Sequence, residues 1–92
     1  MVMNTNSNPD TNPYNLTPAS LALFDSLAED APNWSGMPLV EVSKEERGNL
    51  TNLKRAGLIT TMVSDGNVFA DFTYAGIILA DHRGFDLGAL YR

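Results

Sequence analysis

The chain has no cysteine. Disulfides and thiolate metal ligands are therefore excluded, and the composition suits a reducing compartment; the reading is cytoplasmic. No run of about 18 apolar residues occurs, so no membrane-spanning helix is expected. The N-terminus lacks a basic region followed by an apolar core, which argues against a signal peptide. Histidine occurs once, at His82. Its neighbour Asp81 does not converge with it, because adjacent helical side chains point about 100° apart. His82 reads instead as a helix-end residue favoured by the dipole. No serine stands at a recognisable motif spacing from it. No carboxylates form a visible pair, and no phosphate-cradling glycine loop is present. The chain is thus read as not an enzyme, with no cofactor and no metal site.

Bases are also scarce, and their distribution is uneven. Residues 1–42 carry Asp10, Asp25, Glu29, Asp30 and Glu41 and no Lys or Arg. Residues 43–67 hold Lys44, Arg47, Lys54 and Arg55 against Glu45, Glu46 and Asp65. The total is -5, a poor overall balance for a nucleic-acid binder. The one positive stretch nevertheless coincides with a single expected helix.

The 92 residues, 43% of them hydrophobic, fit one domain with a thin core. Residues 1–15, rich in Asn, Pro and Thr, read as a disordered tail, with Tyr14 able to dock at its end. A folded domain is expected over 16–84, and 85–92 as a C-terminal tail that packs on its own core or pairs with a second copy. Thr17 and Pro18 mark a helix start. The spacing of Ala19, Leu23 and Leu27 predicts a helix to about Glu29, ended by Ala31-Pro32. Trp34, in the irregular stretch 32–38, reads as an anchor over the core edge; the alternative is an exposed binding aromatic. Leu39 to Val42 is a short strand candidate.

Ser43 and Glu46 match a capping box, so a second helix is expected over Lys44–Ala56, closed by Gly57 in a left-handed cap with Leu58 folding back. Leu58–Val63 and Val68–Phe72 flank Asp65-Gly66, the signature of a tight hairpin. On the return strand Val68, Ala70 and Phe72 should share a face opposite Phe69 and Asp71. Thr73 should cap a third helix to about His82, well buried through Ile77, Ile78 and Leu79, with Arg83-Gly84 ending it. The fold class is α+β: helix, short strand, helix, β-hairpin, helix.

Two motifs in this order resemble bacterial winged helix-turn-helix regulators. Leu50–Ile59, L-x-x-L-x-x-x-G-L-I, looks like the junction between recognition helix and wing. Phe72–Ala80, with Thr73, Gly76 and Leu79, resembles the segment after the wing in regulators of the multiple-antibiotic-resistance type. The resemblance covers roughly 17–82 and implies a winged-helix domain of a transcription regulator, DNA-binding and often homodimeric. One family element is missing. Pro38–Val42 leads almost directly into the second helix, without the helix that normally braces the recognition helix and touches phosphates.

At about 100° per residue, Leu50, Leu53, Ala56 and Gly57 form the inward stripe of the second helix. Lys44, Arg47, Gly48, Thr51 and Arg55 fall on the outward half, with Lys54 and Asn52 at its borders. Arg can pair with guanine and Lys can neutralise phosphate. Thr51 and Asn52 can bond base edges, and Gly48 admits a close backbone. Asn67 extends the candidate set to the wing tip, which carries no Lys or Arg where minor-groove wings usually do. The same pattern also describes an ordinary solvated face. Two functions stay open. One is a sequence-specific regulator of transcription on double-stranded DNA. The other is a protein-binding winged helix, such as a phage- or plasmid-type inhibitor or adaptor, whose acidic first helix (Asp25, Glu29, Asp30) faces a basic partner. A homodimer fits both.

Overall fold

The computed structural model describes residues 12–91. The expected disordered tail lies, as far as residue 11, outside the described residues. From Asn12 onward the polar leader closes on itself, earlier than the expected start at Leu16. The Asn12 side chain accepts from the Leu16 amide at 3.0 Å and donates to the Leu16 carbonyl at 3.0 Å. Asn tolerates such local bonding and the left-handed backbone of Asn15, whose φ is 52°.

Helix α1 spans Pro18–Asp30, with the Thr17 hydroxyl accepting from the Ser20 amide and Pro18 at its first position. A 3-10 turn, Ala31–Trp34, follows. The expected strand at Leu39–Val42 shrinks to one bridging residue, Leu39 opposite Phe69. Two bonds hold it: Val40 N–H to the Val68 carbonyl, 2.8 Å, and Ala70 N–H to the Pro38 carbonyl, 2.9 Å. Beyond it the chain runs without regular structure to a 3-10 turn that starts at Lys44.

Helix α2 spans Arg47–Arg55, so the expected first turn from Lys44 is 3-10 rather than α. The capping box does not close as expected. The Ser43 hydroxyl donates to the Glu46 carboxylate at 3.2 Å, and the Ser43 carbonyl accepts from the Glu46 amide at 3.0 Å. The helix end does follow the sequence signal. Gly57 has φ 76°; its amide bonds the Lys54 carbonyl at 3.0 Å and that of Leu58 bonds the Leu53 carbonyl at 3.1 Å, the paired bonds of a left-handed cap.

Strands β1, Ile59–Ser64, and β2, Asn67–Phe72, pair antiparallel with Ser64 opposite Asn67. Asp65 and Gly66 both have positive φ, 52° and 80°, as a tight hairpin turn requires. Helix α3, Tyr74–His82, starts with the Thr73 hydroxyl accepting from the Gly76 amide and ends at Arg83. Its buried side is Gly76, Leu79 and Ala80. Ile78, expected inside, is 40% exposed, because it points with Tyr74 away from the core. A final 3-10 turn covers Gly88–Tyr91. Leu87 is 1% exposed and belongs to the core, so this segment packs on its own domain.

The core draws on α1, α2, both strands and α3. Phe24, Leu27 and Ala28 of α1 meet Leu53, Leu58, Ile59, Ala70, Phe72, Leu79 and Ala80. Phe24 and Phe72 pack edge to face, 5.7 Å apart and at 84°. The order is helix, helix, β-hairpin, helix, a winged-helix-like topology. Between Leu39 and α2 only the Lys44–Glu46 turn occurs, so the helix missing from the sequence pattern is missing here as well. No helix among the described residues is long and apolar enough to cross a membrane.

Candidate functional site

Helix α2 is anchored by one side and open on the other. Leu53 is fully buried, and Leu50 and Ala56 pack against the core. Lys44, Arg47, Gly48, Thr51, Lys54 and Arg55 are all exposed. Among the described residues, none of the four bases pairs with a carboxylate. Lys54 and Arg55 also complement the C-terminal end of the helix dipole. The Thr51 hydroxyl donates back to the Arg47 carbonyl at 3.1 Å, which leaves its lone pairs open to a donor.

Asn52 stands apart from this group. It is half-buried, and its amide donates to the Ser20 hydroxyl at 3.0 Å. Ser20, fully buried, donates in turn to Asn49 Oδ1 at 3.2 Å and receives a bond from the Thr17 hydroxyl at 2.9 Å. A polar seam thus joins α1 to α2 inside an otherwise apolar contact. It sets the rotation of α2, and so which residues face outward. Ser20→Ala removes the centre of the seam and leaves the Asn49 and Asn52 amides short of a partner. The expected cost is about 1–3 kcal/mol, measured as a lower urea midpoint; an unchanged midpoint would show that the seam holds nothing in place.

Tyr14, expected only to dock at the end of the leader, also contributes to this face. A hollow of about 370 Å³ lies where Tyr14, Asn15 and Thr17 meet Asn52, Arg55 and Ala56. Tyr14, 41% exposed, brings an aromatic ring and a hydroxyl to the end of the cationic face. The signal was present in the Asn12 and Asn15 turn residues, which fold the leader back toward the helix. Asn67 is exposed at the hairpin tip, as are Ser64, Asp65 and Gly66.

The acidic face of α1 is smaller than the sequence implied. Asp25 accepts two bonds from Arg83, from Nε at 2.7 Å and Nη2 at 2.6 Å. That leaves Glu29 exposed and Asp30 half-buried at the end of the helix. Trp34 is neither buried nor free. It meets Phe69 edge-on, 5.9 Å between ring centres, over the outer face of the hairpin, and stays 42% exposed. Among the described residues, no group of three or more His, Asp and Glu side chains converges as a metal site would.

No family model, no curated protein and no solved structure matches the chain. The functional reading therefore rests on the geometry of the faces described above.

Proposed function

We propose that the chain is a sequence-specific DNA-binding regulator of transcription that lays the outward face of α2 in a groove of the duplex. The observation that carries this reading is a set of exposed cations with no carboxylate partner among the described residues: Arg47, Lys54 and Arg55 on a helix whose other side is fixed in the core, and Lys44 in the 3-10 turn that leads into it. An α-helix fits the major groove, where Arg47 and Arg55 can reach guanine edges and Lys44 and Lys54 the phosphates. Tyr14, beside Arg55, adds a hydroxyl donor for the backbone. The Asp65-Gly66 tip supplies no cation, so affinity is assigned to α2 and not to the wing.

Gly48 supports the same reading. A glycine inside a helix costs about 1 kcal/mol relative to alanine. Nothing in the domain requires it, since a Cβ at Gly48 would meet no atom within 4 Å. A bare backbone on the outward face has a use when another molecule approaches it.

A salt titration of the full chain on random and selected duplexes tests the proposal. Log affinity should fall linearly with log salt, by about 0.9 per neutralised phosphate. Arg47→Ala with Arg55→Ala should remove the preference for the selected duplex, while circular dichroism stays native; the salt slope should flatten by roughly 2 when Lys44 and Lys54, which face the phosphates, are replaced by alanine. Gly48→Ala should weaken binding and raise thermal stability together. Absence of duplex binding at low salt, or binding indifferent to both double substitutions, defeats the proposal.

A further inference from the structure

A second surface shares no residue with α2 and has opposite charge. The face of α1 carrying Leu23, Leu27 and Asp30 forms one wall of a hollow of about 390 Å³, and Trp34, Leu39 and Glu41 form the other. Its floor is leucine and its rim carries carboxylates. Asp30 accepts one bond, from the Asn33 amide at 3.0 Å. Among the described residues neither Asp30 nor Glu41 has a cationic partner. None can come from the elements that build this hollow, because no Lys or Arg precedes Lys44 in the chain.

Trp34 also borders a second hollow, of about 260 Å³, with Met37, Met62, Ser64 and Phe69. Met62 stands opposite Phe69 across the hairpin. Met62 is 48% and Trp34 42% exposed. A contiguous cluster of tryptophan, phenylalanine and two methionines differs from the single apolar residues scattered over ordinary surfaces. Methionine also adapts to the shape of an incoming group.

We infer that this face, with Trp34 as the ridge between an acidic-rimmed hollow and an apolar one, docks a protein segment that carries Arg or Lys a few residues from a bulky apolar side chain. Charge complementarity selects the occupant. An arginine entering the first hollow lays its methylenes on Leu23, Leu27 and Leu39. Its guanidinium then meets the Asp30 and Glu41 carboxylates and can stack on Trp34, the best aromatic partner for a cation. The apolar neighbour fills the space between Met37, Met62 and Phe69. Phosphate-bearing ligands, whether nucleic acid or lipid headgroup, are repelled by the same rim. The two hollows are lined by no residue of α2.

Random-peptide display on the full chain, with Trp34→Ala and Asp30→Asn/Glu41→Gln proteins as counter-selections, tests the inference. The selected peptides should carry Arg or Lys beside a bulky apolar residue and should be lost on both variants. As the only tryptophan in the chain, Trp34 reports binding by its own fluorescence. Titration of a selected peptide should shift that emission saturably, and the carboxylate variant, native by circular dichroism, should bind about tenfold more weakly, as expected for two exposed ion pairs. Selection of peptides without a base, selection indifferent to Trp34, failure to select any peptide, or a Trp34 response to duplex DNA instead would each overturn it.

Discussion

Gly76→Ala is expected to destabilise the domain by about 3 kcal/mol or more, although alanine is the better helix former. A Cβ at Gly76 would lie 2.1 Å from the Leu58 carbonyl oxygen and 3.1 Å from its carbon. Non-bonded heavy atoms settle near 3.5 Å, so α3 would have to retreat by roughly 1 Å. The obstacle cannot turn aside. The Leu58 carbonyl is backbone and already accepts from the Thr73 amide at 3.0 Å, while the Thr73 hydroxyl donates to the Gly57 carbonyl at 2.6 Å. Retreat of α3 would pull on both bonds and open the contact with Phe72 as well. For a domain of this size each kcal/mol moves the melting point by about 4–8 °C, so a fall of more than 10 °C in a thermal melt is expected. Gly48→Ala is the internal control. It stands in open space on α2 and should raise the melting point. If both substitutions move it the same way, the account of the α3 contact is wrong.

That contact explains why so much of the architecture was legible in the sequence. The two motifs that carry the family resemblance are the two halves of one joint. Gly57 makes the left-handed turn, Leu58 offers its carbonyl, Thr73 bonds the turn twice, and Gly76 lets α3 approach. Residues of this kind are held in place by backbone geometry, so they announce a fold. Their bonds run to one another within the chain, so they say nothing about function. The hairpin was legible for the same reason, since Asp65-Gly66 admits few other conformations. The inward stripe of α2 followed from periodicity at Leu50, Leu53 and Ala56, whereas Gly57, expected on it, is exposed beyond the helix end.

What escaped the reading depended on partners far away in the chain. Asn52 was placed at the border of the outward face by angle. The structure shows it bonded to Ser20, thirty-two residues earlier, and no local pattern reveals a polar seam between helices. Ser43 and Glu46 had the spacing of a capping box, yet the Ser43 hydroxyl bonds the Glu46 carboxylate instead of a helix amide, and the first turn is 3-10. Ile78 sat in an apolar run that suggested burial, while the helix period turns it outward beside Tyr74. Trp34 divided the two alternatives: its edge rests on Phe69, and the remainder of its surface is open. The outward cations of α2 were fully legible, but a free cationic face is evidence for a partner only together with an unneeded glycine and an open approach.

Asp25→Ala is expected to cost about 2–4 kcal/mol, and more than Arg83→Met. The two residues join α1 to the end of α3 across 58 positions, and neither was recognisable as a pair from the sequence. Their exposure is unequal: the Arg83 side chain is 6% exposed and that of Asp25 31%. Arginine stays charged at any ordinary pH. Removing Asp25 therefore leaves a guanidinium in the interior without the carboxylate that takes two of its N–H bonds. Removing Arg83 in favour of methionine leaves a carboxylate that water can reach, with an apolar chain filling the vacated space. The penalty for Asp25→Ala should persist in high salt, because a buried pair is poorly screened. Urea unfolding of both variants, at low and high ionic strength, measures the asymmetry. Equal losses, or a loss for Asp25→Ala that salt abolishes, would place this pair among ordinary surface contacts. The larger loss for Asp25→Ala would show that the acidic face of α1 is partly structural, with Glu29 and Asp30 alone left to meet a basic partner.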